Sequence, residues 1–235
     1  MNIITNLFTS SLGRKFIMGA TGLALFGFVI GHLVGNLQIF LGAEVINRYG
    51  ALLQSNTELL WGARIGLIVC VGLHIWMAVT LSSENKAARP VQYADPKPPD
   101  TTLASRTMLI SGLIIFFFIL YHLLHFTVKI DWLNGTGRNF HDMVDAQGRH
   151  DVYTMMVVGF RHPLVVLFYL VAVGLLSLHL GHGIAAMFQS LGLKTEAWES
   201  TIEKVSKVTA VLIFVGYVSI PLAVLVGIVG SEVAR

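Results

Sequence analysis

The chain has one cysteine in 235 residues, Cys70. It can form no internal disulfide, hold no iron–sulfur cluster alone and attach no c-type haem through Cys-x-x-Cys-His. Charge is also scarce. Asp, Glu, Lys and Arg make up 12% of residues, against about 25% in a soluble domain, and the mean hydropathy is +0.71. A soluble globular fold is excluded, and a membrane protein is the reading that remains. The net charge of +3 is spread over short connections without a basic cluster, so neither nucleic acid nor a polybasic lipid site is indicated. No internal repeat of the kind that marks many secondary transporters is present.

Five stretches lack all four charged residue types: 16–43, 65–83, 107–128, 162–193 and 208–231. Each is near or above the ~20 residues that cross ~30 Å of hydrocarbon as a helix. The expected fold is therefore an all-α membrane protein, a single integral domain over 1–235, with transmembrane helices at about 15–41, 62–83, 106–128, 162–189 and 207–230. The first run follows Arg14 and Lys15 but is too long for a signal-peptide core and shows no small-x-small cleavage site, so it is read as retained. Pro163 opens the fourth span, whereas Pro221 lies inside the fifth and should kink it.

The connections are 44–64, a Pro-rich 84–106, 129–161 and 194–207. None can house a separate catalytic domain, so any active site is intramembrane or belongs to a partner subunit. The N-terminal side carries Arg14, Lys15, Lys86, Arg89, Lys97, Arg106, Lys194, Lys204 and Lys207. The other side carries Arg48, Arg64, Lys129, Arg138, Arg149, Arg161 and Arg235. The excess of nine over seven places the N-terminus in the cytoplasm by the positive-inside rule.

Histidine is what this apolar sequence has in surplus. Six of the nine lie within spans: His32, His74, His122, His125, His179 and His182. One intramembrane histidine is ordinarily a hydrogen-bonding residue between helices, but six across four helices ask for more. With a rise of 1.5 Å per residue, His32 and His122 both fall about 25 Å from the cytoplasmic end of their helices. His74 and His179 both fall about 12–14 Å from it. Two level pairs, each shared between two helices, suit two bis-histidine haems b inside a bundle of the first four helices. Zinc would want three or four donors gathered at one depth, and no intramembrane acid accompanies these histidines.

His125 and His182 follow His122 and His179 by three residues, on the same helical face. They are alternative ligands, partners for haem propionates or quinone, or plain hydrogen-bonding residues. Arg64, Arg106 and Arg161, at span ends, are interfacial anchors or propionate partners. His141, His150 and His162 read as solvated loop residues, and Trp76 and the 116–118 aromatic run as lipid-facing or packing surface. Gly27, Gly31 and Gly35 flank His32 at four-residue spacing, which fits either close haem approach or helix packing of the Gly-x-x-x-Gly type.

Three segments carry a family resemblance: GRKFIMGATGLALFGFVIGHLVGN at 13–36, YHLLHFT at 121–127 and LHLGHGIAAMFQSLGL at 178–193. With them the chain resembles the cytochrome b membrane anchor of succinate:quinone oxidoreductases and fumarate reductases, of the five-helix, single-polypeptide, di-haem type. The resemblance implies a bacterial cytoplasmic-membrane subunit that holds a flavoprotein with covalent FAD and an iron–sulfur subunit. It implies electron passage through two haems b to or from quinone, usually menaquinone. In that family each of the first four helices gives one ligand, which maps onto His32 and His122 for the outer haem and His74 and His179 for the inner one. An acidic residue near the outer start of the second helix serves the distal quinone site, and Glu58 is the nearest match, with Glu44 further back. Competing readings are a cytochrome b anchor of a hydrogenase or formate dehydrogenase, or a histidine-dependent membrane transporter.

Overall fold

The computed structural model describes residues 3–88 and 103–233, with side chains over 5–88 and 107–233. The elements in order are α1 (Ile3–Thr9), α2 (Ser11–Leu37), α3 (Ala43–Ser55), α4 (Thr57–Ala87), α5 (Leu103–Phe126), α6 (Val152–Gly159), α7 (Pro163–Ser190) and α8 (Glu199–Leu225). Among the described residues there is no strand, and a lone bridge joins Val144 to His150. Five helical stretches are long and apolar enough to cross a membrane: Ser11–Leu41, Thr57–Ala87, Thr107–Phe126, Pro163–Ser190 and Glu199–Leu225. The protein is an all-α, multi-pass membrane protein. Exposed side chains such as Ile68, Leu164 and Leu212 line these helices, as a lipid-facing surface requires.

The spans fall where the uncharged runs lie, but α2, α4, α5 and α8 begin before their runs and α4 also continues past its end. An uncharged run marks the part that must sit in hydrocarbon, while helix propagation continues as long as the ends are capped and their charges solvated. Asn56 caps α4 by accepting from the Leu59 N–H at 2.9 Å, and the Ser10 hydroxyl accepts from the Gly13 N–H at 3.0 Å at the start of α2. α8 begins at Glu199 rather than near 207 because its first turns are ion-paired: Lys194 reaches Glu199 at 2.8 Å and Glu203 at 3.3 Å. It stops at Leu225 because Gly227 adopts φ +78°, a left-handed turn that glycine enters without Cβ strain. Pro221 lies inside α8, where its ring leaves one helical carbonyl without its usual N–H partner.

Two helices stand in connections that the hydropathy pattern leaves as loops. In α3 the side chain of Asn47, 1% exposed, donates to Asp151 at 3.0 Å and accepts from the Tyr153 N–H at 2.9 Å. Asp151 is also the N-cap of α6, accepting from the Thr154 N–H at 3.0 Å. One buried amide thus ties α3 to the start of α6. Nearby, the Asp145 carboxylate accepts from Arg149 Nε at 2.7 Å and from the N–H groups of Gln147 and Arg149. The Arg149 guanidinium forks onto Glu44 at 2.6 and 3.1 Å.

The chain gathers into two compact units. One comprises Met1–Phe28, Arg64–Leu113 and Ser177–Val211, and the other Val29–Ala63, Ile114–Leu176 and Leu212–Arg235. In the first unit, Arg14 pairs with Glu84 and the Ser177 hydroxyl donates to the Ala210 carbonyl at 2.7 Å. In the second, an apolar core of Ile39, Ile46, Met156, Val157, Val166, Tyr169, Ile220 and Val224 packs α6, α7 and α8 together. There too the Tyr217 hydroxyl donates to the Val29 carbonyl at 2.8 Å.

Candidate metal centres

Each unit holds one opposed pair of intramembrane imidazoles. In the unit containing Ser177–Val211, His74 on α4 faces His179 on α7, with ring centroids 6.5 Å apart and planes at 61°. In the other, His32 on α2 faces His122 on α5 at 5.7 Å and 80°. A metal held axially by two imidazoles takes each nitrogen at about 2 Å, and with ~1 Å from ring centre to nitrogen the two centres stand ~6 Å apart. Both pairs are at that separation. Among the described residues, no three His, Cys, Asp or Glu side chains are grouped to hold an ion, so the histidines gather as two-donor sites.

What each ring does with Nδ1 sharpens the geometry. His74 Nδ1 lies 3.2 Å from the Thr21 hydroxyl, and His179 Nδ1 lies 3.3 Å from the Ser111 hydroxyl. Those hydroxyls spend their protons on their own helices, Thr21 on Ile17 and Met18 and Ser111 on Met108. With its proton given there, each hydroxyl is free to accept from an Nδ1–H, the tautomer that leaves the Nε2 lone pair open to a metal. In the other unit, His122 Nδ1 lies 3.2 Å from the Tyr169 hydroxyl. The Asn36 amide donates to the His32 carbonyl at 2.7 Å and stands 3.3 Å from its Nδ1.

His125 is placed differently from His122. It is fully buried, stacked on Phe126 at 3.9 Å and near Phe140 at 5.9 Å. Its Nδ1 shares the Tyr169 hydroxyl at 3.0 Å, and its Nε2 is buried without a partner against the backbone of Gly159. His182 is half-buried on α7, one turn on from His179.

Arg161 donates to the carbonyls of Gly230 and Val233, so its guanidinium is engaged by the segment after α8. Arg64 is half-buried two turns into α4. The Arg106 side chain lies outside the described residues. Glu58 is exposed in the first turn of α4. The Arg149 hydrogen bond holds the Glu44 carboxyl below its ordinary range. Asp145 is also held below it: burial pushes it up, but the hydrogen bonds from Arg149 and Gln147 prevail.

Two of the three loop histidines, His150 and His162, are less solvated than their sequence context suggests. His141 is exposed, with Nε2 at 2.9 Å from the Val128 carbonyl. His150 is half-buried with Nδ1 3.0 Å from the Met143 carbonyl, and burial lowers its pKa. His162 is half-buried too, with Nδ1 enclosed. Phe118, read as lipid-facing or packing surface, packs against His122 at 6.0 Å and Tyr169 at 5.0 Å. The glycine ladder divides: a Cβ on Gly35 would meet Tyr49 at 2.8 Å, whereas at Gly27 and Gly31 it would meet no atom within 4 Å.

Sequence reasoning missed Thr21, Asn36, Ser111 and Tyr169. One signal was available for two of them: a hydroxyl residue followed by glycine, Thr21-Gly22 and Ser111-Gly112, recurs within uncharged runs. Compared with known proteins, the chain matches no family model, no curated protein and no solved structure. The likeness to cytochrome b anchors accordingly rests on the three segments at 13–36, 121–127 and 178–193.

Proposed function

We propose that this protein is a di-haem cytochrome b membrane anchor of a succinate dehydrogenase or fumarate reductase. It would sit in a bacterial cytoplasmic membrane with its N-terminus in the cytoplasm. It passes electrons between cytoplasmic flavoprotein and iron–sulfur subunits and menaquinone. The observation that carries this reading is the pair of opposed imidazole couples drawn from four helices at bis-histidine separation. The donor set suits haem b: neutral nitrogen ligands in twos, hydroxyls beside Nδ1 of His74, His179 and His122, and an uncharged surround.

When bound, haem supplies one-electron carriage at a potential set by its ligands and their hydrogen bonds. The chain's own part is to hold and orient. His74 and His179 would grip one haem and His32 and His122 the other, with Thr21, Ser111 and Tyr169 fixing ring rotation. The apolar span surfaces keep water and stray protons from both sites. Glu58 is the proposed proton relay to quinone, because a carboxylate at the helix edge can take up and release protons as the quinone is reduced. Glu44, tied to Arg149, is poorly suited to that task.

The test is purification of the complex from its native membrane. Flavin and iron–sulfur subunits that copurify, with succinate-to-quinone turnover, support the reading. Copurification of hydrogenase or formate dehydrogenase subunits would replace the partner assignment. In that complex Glu58→Gln should slow quinone-linked turnover by about an order of magnitude or more while artificial-dye succinate oxidation persists. Unchanged quinone turnover would dismiss Glu58.

A further inference from the structure

His74 and His179 are held by the same device on two different helices. On α2, Thr21 presents its hydroxyl to His74 Nδ1 at 3.2 Å, and a Cβ on Gly22 would stand 3.4 Å from His74 Cε1. On α5, Ser111 presents its hydroxyl to His179 Nδ1 at 3.3 Å, and a Cβ on Gly112 would stand 3.4 Å from His179 Cε1. Thr21 and Ser111 are both buried, at 7% and 6% exposure, within uncharged stretches of their helices. A hydroxyl inside a helix ordinarily satisfies itself on the preceding turn. These two do so and also stand within hydrogen-bond distance of a neighbouring imidazole Nδ1. The adjacent glycine leaves bare backbone beside the Cε1–Nδ1 edge of the ring, so the ring lies close to the helix with no side chain against that edge.

We propose that Thr21 and Ser111 are positioning residues that latch His74 and His179 in the Nδ1–H tautomer and thereby set the redox potential of the centre these histidines hold. The inference rests on the haem reading above and adds to it which residues tune one centre. An acceptor on Nδ1–H makes the imidazole a stronger donor through Nε2 and favours the oxidised metal. Removing the acceptor raises the potential.

The experiment is redox titration of the haem absorbance, with low-temperature electron paramagnetic resonance, on the purified complex bearing Thr21→Val, Ser111→Ala, Thr21→Ser or Ser111→Thr. The expected result is a tilt of one centre's oxidised-to-reduced ratio toward reduced by up to tenfold, which is ~59 mV for one electron. The tilt should appear in Thr21→Val and Ser111→Ala, accompanied by a changed low-spin signal, and be absent at the second centre and in both hydroxyl-retaining variants. Loss of that haem in Thr21→Val or Ser111→Ala, with retention in Thr21→Ser or Ser111→Thr, supports the latch as well. Potentials unchanged in all four variants, or the same change in the hydroxyl-retaining ones, would overturn it while leaving the haem reading standing. Absence of haem from the unmodified complex would remove the haem reading itself.

Discussion

A histidine in hydrocarbon has two nitrogens to satisfy, and the second one tells ligands from packing residues. His122 meets the Tyr169 hydroxyl through Nδ1 and opposes His32. His125 Nδ1 meets the same hydroxyl, but its Nε2 abuts the Gly159 backbone between stacked rings. His122→Phe should therefore abolish one low-spin haem signal, while His125→Phe keeps both. The reverse pattern in reduced-minus-oxidised and resonance spectra would exchange their roles. The four candidate ligands were legible from sequence because depth along a helix needs only the 1.5 Å rise. Thr21, Ser111, Asn36 and Tyr169 were not. Which residue a hydroxyl meets across helices depends on helix rotation, and helices apolar all round, such as α4, α5 and α7, carry no stripe from which rotation can be read.

Among the elements, the five spans announced themselves by their uncharged runs, and the two short helices did not. α3 and α6 exist because Asn47, Asp151 and Tyr153 close a hydrogen-bond set over residues far apart in sequence, which no local pattern encodes. The neighbouring 145–149 turn is an electrostatic clasp with a definite pH dependence. Glu44, through its Arg149 hydrogen bond, and Asp145, through several, have their folded pKa values depressed. Their contribution is thus complete above the unfolded carboxylate values near 4 and lost as pH falls through the lower folded values. Hydrogen-exchange protection over residues 143–152, taken relative to the intrinsic rate at each pH, should fall below about pH 4 in the unmodified protein. Arg149→Gln should bring fast exchange already at neutral pH. Equal protection of the two proteins at every pH would show that the clasp contributes nothing.

For the whole molecule, the sequence was sufficient for the all-α, five-span membrane fold, because hydrocarbon thickness and backbone hydrogen bonding leave few alternatives. What the fold adds is pairing. Histidines far apart in the chain are brought ring to ring: His32 with Asn36 and His122 with Tyr169 are set in one compact unit, and His74 and His179 with their hydroxyls in the other. The central claim is that each opposed pair holds one haem b. Pyridine haemochrome quantitation against protein concentration on the purified native complex tests it directly. The account expects two haems b per chain, falling to one when His74→Ala or His32→Ala removes either pair. One haem or none in the unmodified protein would contradict it.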